Sequence, residues 1–561
     1  LIAGKTSKFV WVVTILGGVL SVATYGFEAM GTSPLEPQSL AFCGIRAVQE
    51  REPNLTALDV HIAAVCRSMT YLDGLPQGDY RFDMSHRCLE GSGVTFADGS
   101  NGYYGLSSHA TAIGGILLGL DPVGSHSERG GFFYKGICPD ASVKVYEFWR
   151  FVSLTIFGGR GFSADILTLS LGDLYEDWWT RGIDRLAAEK GVLVVASAGN
   201  GAESGDSVLY PAAGANVLAV GVLDAETGPD GQPMLGSFSL PRKGNSSYGP
   251  TSDRRCKPDL TAPGRALVPT AQGLAEYDIA GDYTSLAAPT VSGTAALLLQ
   301  KAKTTPALDR RLGTIGRNCV LKAILMSSAQ KLPFWNKGLP GPEDDTQTPL
   351  DFLQGAGLLD AEGAMRLLTE GNRPETGSEK GWDHLILSFE QPGVVYPVFA
   401  VQPTGQYLTA TIVWNRHYED RYPFHLLEDT NSDLRLELWA IDPNTSERIL
   451  VDISDSPVDT VEHIHIPLLS DSVEYELMVR INNPEVLNSG RNEHVGLAWL
   501  VGEDRSVDNP WWFDLNEDGR IDETDQMVFT IFDRGQTELI DQPLIRETLN
   551  LSQERIDLSL I

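Results

Sequence analysis

The stretch Tyr283-Thr284-Ser285-Leu286-Ala287-Ala288-Pro289-Thr290-Val291-Ser292-Gly293 sets a hydroxyl residue at the mouth of a helix that opens with small residues and a proline. Pro289 suits a first helical turn, whose amides have no intrahelical acceptor, and Val291, Ala295 and Leu298 continue an apolar face. Such a helix aims its free amides and the positive end of its dipole at whatever Ser285 attacks. A Ser-capped buried helix carries a similar string, so the segments upstream decide the reading.

His109 begins His-Ala-Thr-Ala-Ile-Gly-Gly, again a polar residue at the start of a small-residue helix. Between the two, Gly191 to Gly201 is an apolar run suited to a buried parallel strand, and it ends in the Gly-flanked amide of Asn200. An Asn there can turn its NH2 toward a developing oxyanion, with the Ser285 amide as second donor.

At this point the chain resembles the subtilisin-like serine peptidases, over roughly Ala57 to Leu368. Further segments match in order: Ala164 to Gly172, Tyr210 to Val222, Ser246 to Pro250, Lys257 to Gly264, Leu321 to Ala329 and Gly355 to Ala361. The resemblance implies an α/β fold, a parallel sheet flanked by helices. It also implies a triad in the order acid, His, Ser. Ser285 would be the nucleophile, His109 the base and Asn200 an oxyanion donor, and Ser170, Leu171 and Gly172 would form the edge that pairs with a substrate backbone.

The acid departs from the family pattern. Its counterpart strand is His61-Ile-Ala-Ala-Val-Cys-Arg-Ser68, with Cys66 in the Asp slot. A thiol titrates near 8.5 and is a weak acceptor, so it does not hold an imidazole as a carboxylate does. Asp73, with the strand shifted to Arg67–Leu72, and Asp79 are the alternatives. Tyr283 stands where the family has Gly, a position at which a ring resists positive φ. Ala110 and Ala112 replace a Gly and a second His.

The chain has 561 residues, 42% of them hydrophobic, enough for two or three packed domains. With 43 Lys+Arg against 74 Asp+Glu, the net charge of −31 disfavours nucleic acid and anionic lipid as partners. After Lys5 and Lys8 an uncharged run from Phe9 to Phe27 reads as a signal peptide or membrane anchor over residues 1–30, so the protein is expected to be secreted or held at the cell envelope. An extension, 31–56, is too short for a folded inhibitory propeptide. Six cysteines, Cys43, Cys66, Cys88, Cys138, Cys256 and Cys319, lack C-x-x-C spacing, which argues against zinc. Export permits disulfides, and a Cys66–Cys88 bridge would make Cys66 purely structural.

The catalytic domain is expected over 57–370. After the polar stretch from Thr369 to Gly381, short alternating strands over 382–503 read as an all-β sandwich. Leu434, Leu436 and Leu438 alternate with Arg435 and Glu437, the pattern of a strand with one wet face. In the tail, 504–561, the string Asp514-Leu-Asn-Glu-Asp-Gly-Arg-Ile-Asp-Glu-Thr-Asp525 has the spacing of a short EF-hand-like calcium loop. Asp514, Asn516, Asp518 and Asp525 supply side-chain oxygens, and Arg520 its carbonyl. The loop resembles those of dockerins, which bind cohesins.

The leading function is therefore an exported, calcium-binding serine endopeptidase acting on proteins or peptides. The alternative is a catalytically impaired pseudoprotease serving as a peptide-binding or envelope scaffold. A third reading makes the β-sandwich and calcium loop an adhesion or docking module.

Overall fold

The computed structural model describes residues 34–502, apart from 69–70, 73–74, 77, 160, 175–177, 202–207, 243, 272, 339–345, 372–377, 399–405, 443, 469–473 and 489. The export segment, Asp73 and the acidic loop Asp514 to Asp525 lie outside the described residues.

Runs of Val, Ile, Leu and Ala form the central sheet. Its strands are β1 (His61–Cys66), β2 (Val94–Phe96), β3 (Ser142–Glu147), β4 (Ile166–Leu169), β5 (Leu193–Ser197), β6 (Val217–Leu223) and β7 (Leu260–Pro263). They pair in the order β7-β6-β5-β4-β1-β3-β2, and every pairing is parallel. Strands β4, β5 and β6 are buried along their whole length, which is why they lack alternation: helices cover both faces.

Four helices frame the sheet: α1 (Ser108–Leu118), α2 (Trp178–Lys190), α3 (Thr284–Lys303) and α4 (Arg317–Ser328). In α3 every residue is buried except Lys301 and Lys303, so no face of it up to Gln300 is open to solvent. At Gly293 the packing is close: a Cβ there would stand 2.9 Å from Ile137. Because α3 already starts at Thr284, Pro289 falls in the second turn and not the first. The ring therefore removes the N–H that would have bonded the Ser285 carbonyl, a local cost accepted one turn below the candidate nucleophile.

The second half holds β8 (Lys380–Leu387), β9 (Gly393–Val398), β10 (Gln406–Val413), β11 (Leu434–Ile441), β12 (Arg448–Ser454), β13 (Val461–Leu468), β14 (Glu474–Ile481) and β15 (Glu493–Gly502). They form two antiparallel four-stranded sheets, β8-β15-β10-β13 and β9-β14-β11-β12, whose apolar faces share one core. The wet-face expectation fails for Glu437, which is buried; Arg435 and the Trp439 indole N–H meet its charge.

This all-β unit is not hung on a free tether. Helix α4 is buried from Asn318 to Ser328 and packs on β10 and β15. Ser327 Oγ donates to the Ala498 carbonyl at 2.9 Å and pairs with Thr411 Oγ1 at 2.8 Å. Gly496 lets the two backbones touch, since a Cβ there would lie 2.3 Å from the Cys319 carbonyl carbon. All six cysteines are buried and free, so Cys66 and Cys88 are not bridged. Among the described residues no helix is long and apolar enough to cross a membrane.

Candidate active site

Ser285 is the second residue of α3 and 8% exposed. In the first turn the Thr284 amide donates to Asn200 Oδ1, and those of Leu286 and Ala287 donate to the Tyr283 carbonyl. The Ser285 amide has no acceptor among the described residues, so it is the one left to receive a ligand oxygen.

Asn200 lies three residues beyond β5. Its Oδ1 accepts from the Thr284 amide at 2.9 Å and from Thr284 Oγ1 at 2.9 Å, while Thr284 Oγ1 accepts the Gly199 amide at 3.2 Å. Two donors on one oxygen settle which way the side-chain amide is turned, so Nδ2 faces away from Thr284 and is free to donate. Gly199 makes this approach feasible: φ is +118°, and a Cβ would stand 2.6 Å from Ser247 Oγ. Thr284 is the residue that sequence reasoning missed. Its only signal was a second hydroxyl beside Ser285.

His109 is half-buried, second in α1 and just past a Ser107 cap that accepts the Ala110 amide at 3.2 Å. Burial lowers its pKa below 6.5, which keeps the imidazole neutral and able to accept a proton near neutral pH. Helices α1 and α3 pack together, although no hydrogen bond joins the His109 ring to the Ser285 hydroxyl. Such bonds often tighten only with substrate bound.

Strand β1 ends at Cys66, which is 4% exposed and level with Glu147 of β3. Burial pushes its thiol up to about 12, so it is a neutral thiol and not an anion. Asp79 accepts at 2.5 Å from the Oγ of Ser68, two residues past Cys66. No carboxylate among the described residues bonds the His109 ring.

Ser170, Leu171 and Gly172 continue β4 beyond its last ladder pair. Ser197 Oγ donates to the Leu171 carbonyl at 3.3 Å, and Ser170 and Leu171 are both buried. Arg67 Nη1 donates to the Gly172 carbonyl at 3.4 Å and pairs with Asp173 at 3.3 Å. Arg67 therefore occupies the Gly172 carbonyl. The strain expected at Tyr283 is absent: φ is −117°, the ring is exposed, and the close approach falls at Gly264, whose Cβ would meet the Tyr283 carbonyl oxygen at 2.4 Å.

Comparison with known proteins places the central part of the chain beside serine proteases. Residues 78–357 match the subtilase family, Peptidase S8. The chain is 28% identical over 228 residues to a PI-type proteinase of Lactococcus lactis subsp. cremoris, covering 40% of this chain and 11% of that protein. It is 26% identical over 238 residues to the major intracellular serine protease of Bacillus subtilis, covering 38% of this chain and 63% of that one. The solved structure of the patellamide maturation protease PatA is 25% identical, covers 56% of this chain and 98% of its own, and has a TM-score of 0.37. The segment that contains His109, Asn200 and Ser285 is a subtilase-family domain.

Proposed function

We propose that the protein is an exported serine endopeptidase that cleaves protein or peptide substrates through an acyl-enzyme on Ser285. The observation that carries this reading is the donor pair beside a buried serine: the Ser285 amide without an acceptor, and the Asn200 amide fixed by Thr284 with its NH2 free. Ser285 Oγ attacks the scissile carbonyl, His109 accepts its proton, and the two donors receive the oxyanion. A fluorophosphonate probe should label the full-length protein, and Ser285→Ala should abolish labelling. The labelled species should appear in the medium or envelope fraction. Labelling that survives Ser285→Ala removes the assignment.

A second reading, a catalytically impaired scaffold that binds peptides at the envelope, is favoured by Cys66: a neutral buried thiol stands in the acid slot. A well-folded protein that takes no probe selects it.

The proposed function includes calcium in the tail. Asp514, Asn516, Asp518, Arg520 and Asp525 would hold one ion and order the segment, which could then dock a cohesin-type partner. Carboxylates converging at this spacing repel one another without a cation. Calorimetry on the full chain should show a calcium site that Asp514→Ala and Asp518→Ala each remove; unaltered binding in both variants overturns the loop.

A further inference from the structure

Strands β4 and β5 are parallel neighbours, and beyond its last residue each reaches a glycine, Gly172 after β4 and Gly199 after β5. A side chain on either glycine would collide with the same third residue. A Cβ on Gly172 would stand 2.5 Å from Leu209 Cδ1, and one on Gly199 would stand 2.8 Å from Leu209 Cγ. Leu209 therefore sits between the two strand ends, in the space that the absent side chains leave.

The backbone that carries it is fastened to both sides. The Leu209 amide donates to the Ala198 carbonyl at 2.8 Å, next to Gly199. The following residue, Tyr210, donates to the Asp173 carbonyl at 3.0 Å and accepts the Asp173 amide at 2.8 Å, next to Gly172. Val208 and Tyr210 are buried, whereas Leu209 between them keeps part of its surface open. An apolar side chain left partly open on a backbone that both segments hold is a fixed floor between them.

A peptide whose carbonyl oxygen is held by the Ser285 amide and Asn200, and whose chain continues along Ser170 to Gly172, bridges the two segments at the residue under attack. The side chain of that residue is the one that meets Leu209. We infer that Leu209 sets the substrate class: glycine or alanine is accepted as the residue whose carbonyl Ser285 attacks, and leucine, phenylalanine and lysine are turned away. A large side chain would overpack a gap that already holds a leucine, and the pinned backbone cannot withdraw to make room. An apolar floor also offers an ammonium group no partner. The inference rests on the reading of Ser285 and Asn200 as the place of attack.

The test is kcat/KM of the full-length protein on matched tetrapeptide anilides that differ only in the residue before the cut: glycine, alanine, leucine, phenylalanine or lysine. Beside it, the affinity of Ser285→Ala for the corresponding tetrapeptide acids reads the same pocket without turnover. Alanine should be preferred to phenylalanine by at least about tenfold, the discrimination that a single methylene gives in an apolar pocket. Leu209→Ala should raise the ratio of phenylalanine to alanine by about 10- to 100-fold. Leu209→Val should move it the same way by less, and it decides if the alanine variant does not fold. A wild type that favours phenylalanine, or a ratio that neither variant changes, overturns the inference and leaves the peptidase reading standing. If no anilide is turned over, the acids decide: binding in the alanine-first order removes the peptidase reading and keeps the floor, and binding in any other order, or none, overturns the floor as well.

Discussion

Cys66→Asp is expected to raise kcat/KM on a peptide substrate by up to about 10^4, the inverse of what loss of the acid costs a Ser-His-Asp triad. The gain corresponds to about 5 kcal/mol of transition-state stabilisation. Cys66 closes β1 with a thiol that burial holds neutral, so it neither fixes the imidazole tautomer nor balances an imidazolium. An aspartate at that place enters a site with little water. Its desolvation costs several kcal/mol unless a cation forms beside it, and the His109 imidazolium of the transition state is that cation. The variant should therefore be faster and less stable at once, with a lowered Tm in the absence of substrate. Asp73→Asn separates the alternative. If Asp73 already orients His109, that change lowers kcat/KM by about 10^4 and Cys66→Asp adds nothing. If neither variant changes the rate while Ser285→Ala abolishes it, a third group holds the ring and the assignment of the acid slot to Cys66 is wrong.

Asn200→Ala should lower kcat by about 10^2 to 10^3 with little change in KM, because the amide meets charge that exists only in the transition state. The more diagnostic change is Thr284→Val. Thr284 touches no reacting atom; it positions Asn200 by donating to Oδ1 and holds Gly199 by accepting its amide. Losing the hydroxyl leaves one of the two donors that fix the amide and strands the Gly199 N–H, worth about 1–3 kcal/mol. The expected result is a loss in kcat smaller than that of Asn200→Ala, and a double mutant no slower than Asn200→Ala alone, since the two residues act as one unit. A purely structural role for Thr284 would instead lower Tm and leave kcat per folded molecule unchanged. Additive losses in the double mutant would show that Asn200 and Thr284 act separately.

Much of the catalytic half was legible because its signals are local. Short apolar runs without alternation, bounded by glycines, read as strands covered on both faces, and polar residues at the heads of small-residue helices mark where a parallel sheet presents its reactive side chains. Ser285, His109 and Asn200 were singled out on those grounds, and the structure sets Asn200 against the first turn of the Ser285 helix through Thr284. What misled was the assignment of local geometry to single positions. Pro289 was expected one turn too early, and strain was expected at Tyr283. The tight contact is instead between Gly264 and the Tyr283 carbonyl, two segments distant in sequence.

By itself, then, the sequence pointed to the apolar central strands, to the order of the candidate catalytic groups and to a cysteine closing the first of those strands, since periodicity and residue type act within a few positions along the chain. Only the tertiary structure decided which way the Asn200 amide is turned, that Arg67 covers the Gly172 carbonyl, that Glu437 is buried, and that the β unit is seated on α4 through Gly496. Each of these depends on hydrogen-bond partners or on free space contributed by remote segments. Burial and the satisfaction of polar groups are properties of the packed whole, and no local pattern encodes them.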